Sequence, residues 1–238
     1  MNVDLNPGRR PDADPHADGP ILRYGPAAEG AALGMVLVHG RGDSARGILS
    51  LAQELEARGA PPVAVVAPQA ADDTWYPYPF VVPTVRNEPF LTSALAALSR
   101  AVDELRAAGL PSERIVVAGF SQGACLASEW VARTGGSWGA LVALSGGLIG
   151  DQVDPARYPN RLNGTTAFLG CSDVDPHIPE SRVHASARQL EAQGADVVAR
   201  IYPGMAHTVN ADELTWIVDR LRMLADATQD HQGRRAGE

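Results

Sequence analysis

Short apolar runs alternate with amphipathic stretches through most of the chain. Met35–His39 (MVLVH), Val63–Ala67 (VAVVA), Ile115–Ala118 (IVVA), Ala140–Leu144 (ALVAL), Thr166–Leu169 (TAFL) and Val197–Tyr202 (VVARIY) read as strands. The unbroken apolar character of most of them predicts burial on both faces of a parallel sheet. Helical spacing between them predicts helices over residues 44–58, 92–108, 122–133, 180–194 and 210–225. In the second of these, Leu95, Leu98, Val102 and Leu105 share one face, and Ala108-Gly109-Leu110-Pro111 supplies a stop. This rhythm implies an α/β class chain, with a doubly wound, mostly parallel sheet flanked by helices. Ligands in such sheets sit beyond the carboxyl ends of the strands, so the polar residues just after each strand are where chemistry is expected.

The periodic pattern fades at both ends. Residues 1–20 are rich in Pro, Asp and Gly, and residues 226–238 are polar. Both are expected to be flexible tails around one domain at 21–225, compact and without a large cap. A length of 238 residues is enough to bury most of such a domain around a single core. One long connection, from Pro68 to Pro89, departs from the rhythm and holds TWYPYPFVVP; its aromatic content argues for a functional loop rather than disorder.

The net charge of −8 argues against a nucleic-acid partner, which would require clustered cations. Every basic residue is arginine, and the absence of lysine excludes Schiff-base chemistry, a pyridoxal-phosphate anchor and a Walker-type phosphate loop. Two cysteines, Cys125 and Cys171, make no disulfide framework. With no signal-like apolar run and no membrane-length span, a cytoplasmic protein with reduced thiols is expected. No His/Cys/Asp cluster has metal-ligand spacing, so neither metal nor other cofactor is expected.

The candidate chemistry begins at Gly119-Phe120-Ser121-Gln122-Gly123. Gly-x-Ser-x-Gly alone is weak, but a predicted strand precedes this one and a predicted helix follows it. Ser121 therefore falls on a sharp strand-to-helix turn, a nucleophile elbow, with the backbone N–H of Gln122 available to an oxyanion. A serine hydroxyl needs an oriented base, and in elbow hydrolases the order is serine, acid, histidine. His207, in Tyr202-Pro203-Gly204-Met205-Ala206-His207 after the last strand, suits the base. His16 and His231 fall in the expected tails. Asp173 and Asp175, in Gly170-Cys171-Ser172-Asp173-Val174-Asp175-Pro176-His177, compete for the acid.

VHGRGDSA after the first predicted strand, VVAGFSQGAC at the elbow, GCSDVDPHIP and YPGMAHTV together resemble the phospholipase/carboxylesterase family of α/β-hydrolases, which includes the acyl-protein thioesterases. The resemblance spans residues 33–224. It implies the α/β-hydrolase fold, with Ser121 as nucleophile, Asp175 as acid through the Asp-x-Asp-Pro-x-x-Pro frame, and His207 as base. Asp173 is left to brace the loop. It also implies a second oxyanion N–H from Arg41, the residue after His39-Gly40. An apolar residue is commoner there in relatives, and the Arg41 side chain is read either as a contact to an anionic or polar substrate group or as a solvent-facing partner of Asp43 or another carboxylate. His39 is expected to hold its loop.

Family members carry a pocket-forming loop where this chain has Trp75, Tyr76, Tyr78 and Phe80, which are accordingly expected to wall the substrate pocket. No chemical role is assigned to Asn87-Glu88-Pro89. The implied function is a serine hydrolase cleaving a small-molecule ester or thioester through an acyl-enzyme, with short- to medium-chain or aromatic acyl groups. An acyl-protein thioesterase or lysophospholipase is the alternative, and a non-catalytic ligand receptor on the same scaffold is the alternative of another class. The sequence leaves the oligomeric state open, with a homodimer among the arrangements it allows.

Overall fold

The computed structural model describes residues 14–235, with side chains to residue 227. Its elements in chain order are β1 (Ile21–Tyr24), β2 (Gly34–Val38), α1 (Ala45–Ala57), β3 (Ala64–Pro68), α2 (Phe90–Ala107), β4 (Ile115–Phe120), α3 (Gln122–Thr134), β5 (Ala140–Leu144), β6 (Thr166–Ser172), α4 (Glu180–Ala192), β7 (Asp196–Tyr202) and α5 (Ala211–Arg235). The strands form one sheet in the order β1-β3-β2-β4-β5-β6-β7. All neighbours are parallel except β1, which runs antiparallel to β3 with Ile21 opposite Pro68 and Tyr24 opposite Val65.

Every residue of β2, β3 and β5 is buried, because both faces of the sheet are covered. Val36, Val38, Val117 and Leu141 meet the apolar stripes of α2, α3 and α4, including Leu98, Leu126 and Val183. Met35, Leu37, Val116 and Phe168 meet Ile48 and Leu55 of α1 and Leu214, Ile217 and Leu221 of α5. Fully burying one such aliphatic side chain contributes roughly 1.5–3 kcal/mol, so the two layers fix the strands firmly and leave their carboxyl-end loops as the variable part.

The six expected strands and five expected helices are present, and the structure adds β1. This four-residue edge strand has mixed exposure and gives no buried run for the eye to find. The expected tails need correction where they are described. Asp14–Pro20 packs against the domain: the His16 side chain is buried, its Nε2 lies 2.9 Å from Trp75 O, and its backbone N–H donates to Ser93 Oγ at 2.8 Å. At the other end α5 continues past residue 225 to Arg235; residues 1–13 and 236–238 lie outside the described residues.

Two buried carboxylates steady loops that reach the carboxyl ends of the strands. Glu129 of α3 accepts from Tyr158 Oη at 2.8 Å and Ile149 N at 2.9 Å, and it pairs with Arg133 and Arg157, tying the segment after β5 to the helix. Glu213 closes a capping box at the start of α5: Asn210 Oδ1 accepts from Glu213 N at 3.0 Å while Glu213 Oε2 accepts from Asn210 N at 2.8 Å. Burial pushes the Glu213 carboxyl up to about 7, against the opposing hydrogen bond from Asn210 N–H.

A carboxyl whose folded value is raised gives stability that is complete below its unfolded value, near 4.5, and is lost as pH rises through the folded value. Wild-type stability, followed by urea denaturation, should therefore decline between about pH 4.5 and pH 7. Glu213→Gln, which removes the ionisation and keeps an acceptor for Asn210 N–H, should flatten that decline.

Candidate active site

Ser121 connects β4 to α3 with φ 54° and ψ −119°, a conformation that L residues avoid and that is held here by packing. Gly123 permits the turn, because a Cβ there would collide with the carbonyl oxygens of Val38 and His39. Gly119 is equally constrained, since its Cβ would stand 2.5 Å from the Gly123 carbonyl group. The first turn of α3 can approach the ends of β2 and β4 only because both positions lack side chains. The strand-to-helix turn thus lifts the Ser121 hydroxyl into a cavity of about 540 Å³.

Three strand ends supply the polar groups around it. Ser121 Oγ lies 2.9 Å from His207 Nε2, and His207 Nδ1 lies 2.7 Å from Asp175 Oδ2. A carboxylate only accepts, so the proton sits on Nδ1 and Nε2 is free to accept from the serine. Asp175 Oδ1 accepts from His177 N at 2.9 Å and Ile178 N at 3.0 Å. Burial disfavours the Asp175 charge, but the hydrogen bonds from His207 and from the His177 and Ile178 N–H groups outweigh it and hold the carboxyl below its ordinary value.

Asp173, the competing carboxylate, accepts from Gly204 N at 2.8 Å. It braces the segment that carries His207, as expected. The His207 ring also packs on Phe120, with centroids 4.9 Å apart, and edge-to-face on His177 at 5.0 Å. Cys171 lies 3.8 Å from Asp175 Oδ2, and burial pushes its thiol up to about 12. It therefore stays protonated beside the carboxylate.

Arg41 and Gln122 both line the cavity. Among the described residues neither backbone N–H has a protein acceptor, which leaves two donors available to an oxyanion. The Arg41 side chain is exposed, as one reading had it, but among the described residues it pairs with carbonyl groups rather than with Asp43 or another carboxylate: its guanidinium donates to Tyr76 O at 2.8 Å, Pro77 O at 3.0 Å and Tyr78 O at 3.3 Å. His39 has the structural role expected of it, with Nδ1 2.8 Å from Gly40 O and Nε2 accepting from Ala70 N at 3.1 Å.

The four aromatic residues divide. Tyr76 and Phe80 line the cavity with Cys125 and Ile178. Trp75 is core, fully buried, donating through Nε1 to His39 O at 2.9 Å and packed on the His39 ring. Tyr78 is on the surface beneath Arg86. Asn87, whose role the sequence left blank, is buried and accepts from Tyr78 N at 2.9 Å; Glu88 accepts from Thr92 N at 3.0 Å in the first turn of α2. The Gln122 side chain was missed altogether: its Oε1 accepts from Trp75 N at 2.9 Å. Among the described residues no group of His, Cys, Asp and Glu could hold a metal ion. A second cavity, of about 110 Å³ between α1, β3 and the β1 end, shares none of these residues.

The phospholipase/carboxylesterase family model matches residues 27–225. The chain belongs to that family. Its closeness to solved members is considerable: a phospholipase/carboxylesterase from Dyadobacter fermentans is 38% identical with a TM-score of 0.81, over 85% of this chain and 96% of that one. The esterase PE8 is 25% identical with a TM-score of 0.69, over 87% and 98%. Acyl-protein thioesterase 1 of Saccharomyces cerevisiae is 28% identical, over 81% of this chain and 93% of its own length. The chain is accordingly a hydrolase acting on ester bonds, built on the α/β-hydrolase fold.

Replacing Asp175 by Asn keeps the shape but places an amide against His207 and favours the wrong imidazole tautomer. Asp175→Asn should lower kcat for a p-nitrophenyl ester by about 10³–10⁴-fold with little change in KM, measured by steady-state kinetics.

Proposed function

We propose that this chain hydrolyses small carboxylic esters of short- to medium-chain or aromatic acids, with Ser121 as nucleophile, His207 as base and Asp175 as the acid that orients it. The unbroken hydrogen-bonded chain from Ser121 through His207 to Asp175, at 2.9 and 2.7 Å, with Ser121 and His207 lining one cavity, carries this reading. As Oγ attacks the ester carbonyl, its proton passes to His207 Nε2 and the imidazolium is stabilised by the Asp175 carboxylate. The carbonyl oxygen becomes an oxyanion, met by the N–H groups of Arg41 and Gln122; each such donor is typically worth about 2.7–4 kcal/mol in the transition state.

Collapse breaks the bond to the alcohol, which leaves with the proton from His207. A water then gives its proton to His207 and attacks the acyl carbon, releasing the acid and restoring the Ser121 hydroxyl. Tyr76, Phe80, Cys125 and Ile178 support a preference for compact acyl groups, because rings and the first turn of α3 bound the cavity beside the serine. The similarity to the yeast acyl-protein thioesterase favours a second reading, in which the leaving group is a thiol and the acyl group is longer. The two free, buried cysteines fit a reducing cytoplasm.

Ser121→Ala should leave the thermal midpoint near wild type and reduce ester turnover by at least about 10⁴-fold. A fluorophosphonate probe should label Ser121 in the wild type; failure to label it would favour a receptor. Turnover of p-nitrophenyl acetate, butyrate, octanoate and palmitate, beside the matching thioesters, separates the two enzymatic readings. A maximum at butyrate or octanoate is expected, and a maximum at palmitoyl thioester would favour the second.

A further inference from the structure

Both residues that offer an N–H to the oxyanion send their side chains to the same peptide carbonyl. Gln122 Nε2 and Arg41 Nη2 each donate to Tyr76 O, both at 2.8 Å, and Tyr76 lines the cavity beside Ser121. A carbonyl oxygen has two lone pairs, so the acceptor is full. Gln122 also takes the Trp75 N–H on its Oε1 at 2.9 Å, reading both polar faces of this peptide segment, while Arg41 adds Pro77 O at 3.0 Å. Two more bonds run alongside, from Gly42 N to Asp73 O at 2.8 Å and from Trp75 Nε1 to His39 O at 2.9 Å.

A backbone N–H requires no particular side chain, so the oxyanion function alone does not explain a buried glutamine or a carbonyl-binding arginine. We propose that the Gln122 carboxamide and the Arg41 guanidinium are positioning groups, which join the two oxyanion donors to the acyl-pocket wall through the Tyr76 peptide. The inference rests on Ser121 being the nucleophile. Its consequence is that wall and oxyanion site move as one body. An acyl group that packs against Tyr76 and Phe80 settles both donors at once, and selectivity among acyl groups then appears in kcat more than in KM.

Gln122→Met keeps side-chain length and the backbone N–H while removing both hydrogen bonds of the amide. With p-nitrophenyl butyrate it should lower kcat by about 10–100-fold, the scale of a donor misplaced by about 1 Å, with KM changed less than kcat. The kcat differences among acetate, butyrate and octanoate should shrink. Inhibition by an alkyl trifluoromethyl ketone, which forms an oxyanion on Ser121, should weaken in step with kcat, whereas inhibition by the parent methyl ketone should not.

Arg41→Met, at a more exposed position, carries the same test if Gln122→Met does not fold. A lowered thermal midpoint with unchanged kcat and unchanged trifluoromethyl ketone inhibition would overturn the inference, as would a rise in KM alone. If the wild type neither turns over esters nor labels at Ser121, the proposed function fails with it; wild-type activity with a kinetically silent variant removes only the positioning role.

Discussion

The close approach of α3 to the ends of β2 and β4 is the constraint on which the rest of the site depends. A side chain at Gly123 would meet the backbone of Val38 and His39, and one at Gly119 would meet Gly123 itself. Overpacking of this kind commonly costs about 1–3 kcal/mol, and more where the obstacle is backbone. Because neither side chain exists, the helix starts immediately after Ser121, holds the serine at positive φ, and places the Gln122 N–H beside the loop from His39 to Arg41. Covered faces of the sheet supply the rigidity that keeps this strained turn from relaxing.

The aromatic loop shows how an irregular segment is fixed without a strand or long helix. Ordering each residue costs roughly 1–2 kcal/mol of backbone entropy, and a net hydrogen bond returns only about 0.5–1.5 kcal/mol. Hydrogen bonds alone leave such a loop marginal. Burial of Trp75, Tyr76 and Phe80 tips the balance, and the bonds from Arg41, Gln122 and Asn87 then select one conformation, because each carbonyl left dry and unpaired would cost about 1–3 kcal/mol. His16, from the segment that precedes β1, holds the same loop through Trp75 O and Ala71 N.

Much of the fold was legible because the central strands are continuous apolar runs and the helices carry clear stripes. The hydrogen-bonded residues Ser121, His207 and Asp175 were legible for a related reason: each lies in the loop or turn that follows a strand, where the topology brings loop ends together. What escaped was chemistry satisfied by main chain. Nothing in Arg41 announces three carbonyl acceptors, and nothing in Asn87 announces Tyr78 N–H, because backbone partners leave no complementary residue in the sequence. Trp75 and Tyr78 were indistinguishable from Tyr76 and Phe80 by type. A proline-rich loop has no period from which to tell inward from outward. His16 was read as tail because its segment is polar, yet its ring is buried, hydrogen-bonded to Trp75 O and Ala71 N and packed beside the Trp75 and Phe90 rings.

The proposed ester cleavage through Ser121 requires one covalent intermediate. Mixing the enzyme rapidly with p-nitrophenyl butyrate, quenching in acid during turnover and mapping the peptides by mass would reveal it. The expected result is a butyryl group on the peptide bearing Ser121, appearing with a burst of p-nitrophenol. Turnover with no acyl group on Ser121, or with the group on another residue, would contradict the assignment.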